Sequence, residues 1–334
     1  MEAIGRFVVL ERLGVGAHAA VYRAEDPVLE QLVALKVLST QVAFDPDGRA
    51  RFIKEARLMR RIESPRAATV YDVAQLPDGR PYLVLELAER GTLRDRLDDL
   101  QEGGKTVTLR DVRTVAAALG AALAAIHDRG VVHRDVKPSN ILIRPAATGT
   151  APDGVPGGTL LRDDDFLVLG DFGLAKALES TRLVTAAVGT PAYMAPEQAA
   201  IGAPLDGRAD IYAASVVIAE LIDLVGGSRD PRVSAVVERG MARDPAVRQP
   251  DARTWAEDLV TTLDSSMAPA TVFRAAPPAA AAPPPSTRLP VPTPETVARH
   301  PWFPGGPLLL AVLVAAVIAV GVAFVLALDY AGGA

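Results

Sequence analysis

The sequence of 334 residues contains no cysteine, which excludes disulfides, thiolate metal sites and a cysteine nucleophile. It also lacks a long basic run: 35 Lys and Arg side chains stand against 40 Asp and Glu, for a formal net charge of -5. This balance does not indicate a polyanion-binding protein, so we expect no nucleic-acid partner. The amino terminus lacks the charged-then-apolar pattern of a secretory signal.

Residues up to about 263 read as a folded domain in which strand-like runs come first and longer helical patterns follow. The strand-like runs cover residues 7–13, 20–24, 32–38, 69–74 and 81–87. A helix is predicted over residues 46–62, with Asp45 as N-cap and Pro46 at the first helical position, and another over residues 109–129. The pattern predicts an α+β domain: a small sheet with one helix, then a mainly helical part.

The composition changes after this domain. Residues 264–307 are rich in proline and alanine, and because proline lacks an amide donor and fixes φ, we expect an extended, mobile spacer. Residues 308–328 carry no charged or polar side chain, and at about 1.5 Å per residue they span the roughly 30 Å core of a bilayer. A buried core helix is the alternative, but no domain remains to bury it. We therefore expect one transmembrane helix.

The flanking charges predict the side of the membrane. Arg299 precedes the predicted span and no lysine or arginine follows it, which favours a cytoplasmic N-terminal domain. Residues 329–334 form a short tail that is too small for a sensor domain on the outer side. The expected location is the cell membrane, crossed once.

Gly14 and Gly16 lie between the first two predicted strands. Without a Cβ, glycine lets backbone amides approach phosphate oxygens closely, although an ordinary hairpin turn is the better explanation of this pair taken alone. On the third strand, Lys36 shares a half-apolar face with Ala34, and a buried ammonium needs an anionic partner. Phosphate oxygens could be this anionic partner of Lys36. Glu55 borders the apolar stripe of the predicted helix over residues 46–62, so it can point inward towards Lys36, although a solvated helix charge is the better reading of this residue taken alone.

The runs VHRDVKPSN and GDFG carry what phosphoryl transfer requires: metal ligands, neutralisation of charge and a group that orients the attacking hydroxyl. Asp171 and Asn140 offer hard oxygen ligands suited to Mg2+. Asp135 can accept the hydroxyl proton, and Lys137 can hold the transferred phosphate.

Other residues of these runs point to packing. His133 and Phe172 are better read as packing side chains than as acid–base groups. Two further runs follow, GTPAYMAPE and DIYA. Each run could arise by chance, but their common order and spacing do not fit a chance arrangement.

Taken together, the runs resemble the bacterial branch of the eukaryotic-like serine/threonine protein kinases over about residues 6–263. The resemblance implies a two-lobed protein kinase fold, ATP and Mg2+ as cofactors, and protein substrates with Ser or Thr acceptors. Lys137, two residues after Asp135, is typical of Ser/Thr rather than Tyr specificity. The expected partners also include a second copy of the chain.

The resemblance implies a role for each site residue. Lys36 binds the α- and β-phosphates and pairs with Glu55. Asp135 is the catalytic base, with Lys137 as its transition-state partner. The implied Mg2+ ligands are Asn140 and Asp171. The residues implied for the nucleotide cleft are Leu13, Gly14, Gly16, Val21, Ala34, Lys36 and Leu142, with backbone contacts from Glu86 and Ala88.

Two more features are implied outside the cleft. Arg248 forms a buried pair with Glu197, and Thr190 completes the loop that receives the substrate hydroxyl. Phosphorylation between residues 172 and 195 is expected to switch activity, because Arg134 needs a counter-charge beside the site. The candidates are Thr185 first and Thr181 second; ordinary exposed hydroxyls are the alternative.

The chain departs from the family pattern in places. Ala19 replaces the third glycine of the loop, and Ser215 stands where a glycine is common. Residues 145–164 form an extra stretch that we expect to be a surface loop between strands, either a partner site or a tolerated insertion. The region before Arg248 is short, so the helix and loops that usually help to dock protein substrates are largely missing.

Two rival functions stay open. A pseudokinase, a membrane-tethered binding module, would fit the shortened region, but the intact Lys36, Asp135 and Asp171 argue against it. A phosphotransferase that acts on small molecules is the second rival. Lys137 and the run GTPAYMAPE favour a protein substrate instead.

Overall fold

The computed structural model describes residues 3–16, 18–146, 157–172, 192–200, 205–226 and 230–268. The predicted spacer beyond residue 268, the predicted span at 308–328 and the tail at 329–334 lie outside these ranges. So do Thr181, Thr185 and Thr190. In the described part of the chain, no helix is both long and apolar enough to cross a membrane.

The N-terminal part is an antiparallel sheet. Its strands are β1 (Ala3–Ile4), β2 (Phe7–Val15), β3 (Ala19–Asp26), β4 (Gln31–Leu38), β5 (Val70–Gln75) and β6 (Pro81–Glu86). They lie in the order β1-β2-β3-β4-β6-β5. The two faces of β4 enter different apolar clusters: Ala34 and Leu38 pack towards the main core, whereas Val33, Leu35 and Val37 pack on the opposite side. The predicted alternation is confirmed, and only β1 was not predicted.

One short and one long helix follow β4: α1 (Thr40–Ala43) and α2 (Pro46–Arg61). The predicted cap is confirmed, because the Asp45 side chain accepts hydrogen bonds from the N–H groups of Asp47 and Gly48. The apolar stripe of α2 buries Phe52 and Ala56 against the sheet side of the core. This burial fixes which face of α2 turns inward.

The C-terminal part is helical. Its helices are α3 (Leu93–Glu102), α4 (Leu109–His127), α5 (Arg208–Leu224), α6 (Pro231–Gly240) and α7 (Ala252–Met267). Capping boxes begin α3 at Thr92 and α4 at Thr108. The prediction for α4 is confirmed, whereas α3 was not predicted. The last helix continues to Met267, past residue 264, where the spacer was expected to begin.

Two departures from the family pattern have visible consequences. Only residues 225–230 separate α5 from α6, in agreement with the short region expected there. The Ser215 hydroxyl donates to the carbonyl of Ile211 and accepts from Trp255 Nε1, at 2.7 and 2.9 Å. A side chain at Gly240 would collide with this hydroxyl, so the glycine makes room for the serine.

A hairpin of β7 (Ile141–Pro145) and β8 (Asp165–Leu169) carries the extra stretch at its far end. The expectation of a surface loop is wrong for part of it, because Leu160 and Leu161 are buried in the core. The backbone N–H groups of Thr159 and Leu160 donate to the buried carboxylate of Asp111 on α4. Apolar burial and these hydrogen bonds hold this part of the stretch against α4.

Candidate active site

Lys36 lies at the centre of a charged cluster between the two parts of the domain. Its Nζ is 2.8 Å from Asp171 Oδ1 and 3.4 Å from Glu55 Oε1. The inward position predicted for Glu55 is confirmed, since α2 turns this side chain away from solvent. The closer partner is Asp171, which the sequence had assigned only to a metal.

Burial and charge act in opposite directions on this cluster. Burial lowers the pKa of Lys36, but the carboxylates of Asp171 and Glu55 outweigh it, and the pKa is raised. Burial raises the pKa of Glu55 to about 7, because the attraction of Lys36 only partly offsets desolvation and Asp171 adds repulsion. Burial also raises the pKa of Asp171, but Lys36 reverses this and holds it below the ordinary value.

The predicted catalytic residues lie on one short turn. Asp135 Oδ2 accepts hydrogen bonds from Lys137 Nζ and Asn140 Nδ2, both at 2.9 Å. Asn140 Nδ2 also donates to the backbone carbonyl of Asp135 at 2.8 Å. A short 3-10 turn, Pro138–Asn140, brings the amide back to Asp135. The three side chains that the sequence predicted to act together are therefore in contact.

A buried carboxylate on α5 positions this turn. Asp210 accepts hydrogen bonds from the N–H groups of His133 and Arg134, both at 2.7 Å, and its Oδ2 is 2.8 Å from Nε2 of His127. Arg134 has φ of 69°, in the left-handed region that non-glycine residues seldom occupy. The sequence analysis assigned no such role to Asp210 or His127. Asp210 is, however, the first residue of the run DIYA.

His133 and Phe172 pack together, as predicted. Their ring centroids are 4.6 Å apart and both side chains are buried. His133 Nε2 is 2.8 Å from the carbonyl oxygen of Gly170. Burial lowers the pKa of His133, so its ring is held neutral in a structural role.

The residues predicted for the nucleotide cleft follow one another across the sheet. Val21 pairs with both Gly14 and Lys36 in the strand registers, so β3 lies between the glycine loop and the lysine. Gly16 N donates to the carbonyl of Ala19, which closes the turn at 2.8 Å. Because Ala19 takes part through its backbone, its side chain does not prevent the turn.

The connection from β6 to α3 forms the other wall. The N–H of Glu86 donates to the carbonyl of Thr69, and the carbonyl of Ala88 accepts from Gly91 N. The carbonyl of Glu86 and the N–H of Ala88 are the backbone groups that the resemblance implies for contacts with a base. Leu142, on β7, forms an isolated bridge with Thr92 at the end of the same connection.

The donor set fits a hard cation. The side-chain nitrogen Nδ2 of Asn140 donates to Asp135, so the side-chain oxygen Oδ1 is the atom left for a metal. Gly170 N donates to the backbone carbonyl of Asn140 at 3.0 Å, so the residue that precedes Asp171 lies beside Asn140. A carboxylate and an amide oxygen are ligands that Mg2+ accepts.

The predicted pair of Arg248 and Glu197 is confirmed. The guanidinium forms two parallel bonds with the carboxylate, at 2.6 and 2.8 Å, and the arginine side chain is fully buried. Arg248 also donates to the carbonyls of Ala242 and Arg208. The pair ties the short 3-10 helix Pro196–Ala199 to α5 and to the segment before α7.

The raised pKa of Glu55 predicts how stability depends on pH. A folded-state pKa of about 7, against an ordinary 4.5, means that protonation favours folding and that this contribution is lost as pH rises through that interval. Glu55→Gln should therefore raise the free energy of unfolding more at pH 8 than at pH 5.5, with a difference on the order of 2 kcal/mol. Urea unfolding at both pH values measures this. Equal effects at both pH values, as expected for the exposed control Glu63→Gln, would contradict it.

Comparison with known proteins agrees with this geometry. The family model described as "Protein kinase domain" matches residues 7–229. The serine/threonine-protein kinase PknL of Mycobacterium tuberculosis is 35% identical over 283 residues, which cover 76% of this chain and 65% of PknL. The serine/threonine-protein kinase PknB of Mycolicibacterium smegmatis is 30% identical, over 98% of this chain and 55% of PknB.

A solved structure shares the fold. The crystal structure of the Mycobacterium tuberculosis PknI kinase domain superposes with a TM-score of 0.55 at 25% identity, and covers 77% of this chain and 96% of that one. The chain spans less than two thirds of the length of the curated relatives named above. The chain belongs to the protein kinase family, among the bacterial serine/threonine-protein kinases.

Proposed function

We propose that this chain is a protein-serine/threonine kinase that transfers the γ-phosphate of ATP to Ser or Thr hydroxyls of proteins. One observation carries the proposal: the catalytic turn and the lysine cluster form a continuous network. Lys36 contacts Asp171, Gly170 N bonds to the carbonyl of Asn140, and Asn140 bonds to Asp135. The names of the relatives as serine/threonine-protein kinases support the same activity.

Each side chain has a task in this proposal. Asp135 orients the acceptor hydroxyl and takes its proton on a carboxylate oxygen. Lys137, 2.9 Å from that carboxylate, stabilises the charge on the transferred group. Lys36 binds phosphate oxygens, which compete with Asp171 for its ammonium. Mg2+ would be held by Asn140 and Asp171 and would supply neutralisation of phosphate charge.

The pseudokinase alternative is not favoured. A binding module would have no need of a base that is oriented by both a lysine and an amide, yet Asp135 is held in that way. The short connection between α5 and α6 bears on protein docking and leaves the phosphate-binding residues in place. Lys137 and the run GTPAYMAPE favour a protein acceptor over a small molecule, so a protein acceptor stays part of the proposal.

Asp135→Asn should lower phosphorylation of self and of an added protein by about 100-fold or more, because the base is lost while the cleft remains. Binding of ATP should change little. Lys36→Met should also abolish activity. Incorporation of labelled phosphate measures both, with the exposed α3 variant Asp99→Asn as the matched control. Turnover at the wild-type rate in Asp135→Asn would show that the mechanism is wrong.

A single-pass anchor in the cell membrane, with the kinase domain in the cytoplasm, is part of the same proposal. Its support is the apolar run at residues 308–328 and the proline-rich stretch before it. A domain tethered in this way would phosphorylate substrates near the membrane. Signalling at the membrane is thus the proposed setting, together with phosphorylation of the chain by itself.

Fractionation tests the anchor. The full chain should stay with membranes after washes with high salt and alkali, whereas a chain that ends before Pro307 should be released, because only the apolar run holds it there. Detergent should release both. Recovery of the full chain in the soluble fraction without detergent would contradict the anchor while leaving the kinase activity untouched.

Self-phosphorylation at Thr185, and second at Thr181, is proposed to switch activity. Arg134, next to Asp135, supports this: within the described residues, its buried Nε has no hydrogen-bond partner. A phosphate carries about -1.5 to -2 charge and accepts paired bonds from a guanidinium. Such bonds would order the segment beside the site and align Asp135 with Asp171.

The double variant Thr181→Ala/Thr185→Ala, incubated beforehand with ATP, should phosphorylate an added protein roughly ten times more slowly than wild type, because the counter-charge for Arg134 is missing. The single variants rank the two sites, and Thr261→Ala, on α7, serves as control. A double variant as fast as wild type would rule out the switch.

A homodimer completes the proposal. The exposed apolar side chains of Val28 and Leu29, on the turn between β3 and β4, are surface that a second copy of the chain would cover. Analytical ultracentrifugation in detergent compares the wild-type chain with Leu29→Asp. It distinguishes a chain that dimerises through this turn from a monomeric one.

A further inference from the structure

The connection between β6 and α3 is held against the β7–β8 hairpin along its length. Ile143 N donates to the carbonyl of Gly91 at 2.9 Å, and Arg90 N donates to the carbonyl of Ile143 at 3.2 Å. Leu142 bridges to Thr92 beside them. The connection and β7 therefore form one hydrogen-bonded unit.

The side chain of Arg144, on β7, binds the start of this connection. Its Nη1 donates to Glu86 Oε1, and its Nη2 donates to the carbonyl of Pro65 at 3.0 Å. The guanidinium also lies 4.9 Å from the ring centroid of Phe166 on β8. The second carboxylate oxygen of Glu86 accepts from Thr69 N at 3.3 Å. Glu86 is thus held from two sides.

Residues at the start of β8 and just before it bind the end of the connection, at Arg90. Arg90 donates to Asp165 Oδ1 at 2.5 Å and to Asp164 Oδ2 at 2.6 Å. Asp165 is fully buried and also contacts Arg96 at 3.5 Å. Asp164 belongs to the extra stretch, so the extra stretch contributes directly to these contacts with Arg90.

These contacts bear on the nucleotide cleft. Leu142 and Arg144 are two residues apart on β7 and so lie on the same face of the strand. One is expected to contact the base, and the other holds Glu86, whose backbone carbonyl is expected to bind it. We propose that Arg144 is a positioning residue for the nucleotide: through Glu86 it fixes the backbone of residues 86–88 relative to Leu142. This inference rests on the proposed ATP site.

The physical reason is preorganisation. Without the contacts of Arg144 with Glu86 and Pro65, the connection would adopt more conformations. Nucleotide binding would then have to order it, at a cost in affinity. An exposed ion pair would contribute little, but this one is half-buried, stacked on a ring and joined by a backbone carbonyl. The effect should therefore appear in nucleotide affinity and not in recognition of the acceptor protein.

The test uses the full chain with Arg144→Met, which keeps an unbranched stem of comparable length and removes the guanidinium. The Kd for a non-hydrolysable ATP analogue with Mg2+, and the KM for ATP, should each rise roughly five- to tenfold. The KM for the acceptor protein should stay within about twofold. Arg144→Lys should restore part of the affinity.

Arg80→Met is the matched control. Arg80 pairs with a carboxylate as Arg144 does, in this case that of Asp78. It is exposed to the same degree as Arg144, 30% against 31%, but it precedes β6 at the end opposite Glu86. Its variant should leave both KM values unchanged. Glu86→Gln should reproduce the effect of Arg144→Met, and the double variant should add little to either, because both remove the same contact.

Two results would overturn the inference. In one, Arg144→Met lowers the melting temperature or the active fraction while Kd and KM for ATP stay at wild-type values, which is the signature of a purely structural pair. In the other, the wild-type chain binds no nucleotide at all, which would also overturn the proposed function. The first result would reject the role of Arg144 alone and leave the proposed function standing.

Discussion

The buried carboxylate of Asp210 is the constraint on which the candidate site depends. It receives the N–H groups of His133 and Arg134 and lies beside the ring of His127. A carboxylate buried without such partners would be costly, so α5 and the turn that presents Asp135 stabilise each other. The positive φ of Arg134 belongs to the same arrangement, because a left-handed residue lets successive N–H groups converge on one anion.

The lysine cluster joins three elements that lie far apart in the sequence. Lys36 comes from the sheet, Glu55 from α2, and Asp171 follows β8. Because Glu55 is buried, its ionised form depends on Lys36, and because Asp171 lies nearer to that ammonium, the two carboxylates share one cation. In the proposed ATP site, phosphate oxygens at Lys36 would redistribute this charge, which would couple nucleotide binding to Glu55 on α2 through electrostatics.

The sequence analysis succeeded mostly where a local rule or a family motif applied, and it missed distant contacts that neither of them specifies. The alternation around Lys36 and the cap at Asp45 follow from strand and helix periodicity, and both are confirmed. α3 was missed although Thr92 begins a capping box, because the helix is short and mostly polar. The contact of Asp111 with the extra stretch and the roles around Asp210 join residues far apart in sequence, which no local pattern specifies.

The β7–β8 hairpin explains how the chain tolerates the extra stretch. Its register runs unbroken from Ile141 opposite Leu169 to Pro145 opposite Asp165, so the added length leaves the hairpin only at its far end. Asn140 and Asp171 flank the near end, where Gly170 N donates to the backbone carbonyl of Asn140. The far end, by contrast, provides side chains that hold the connection between the two parts. One hairpin thus carries the candidate metal ligands at its base and one wall of the proposed nucleotide cleft along its length.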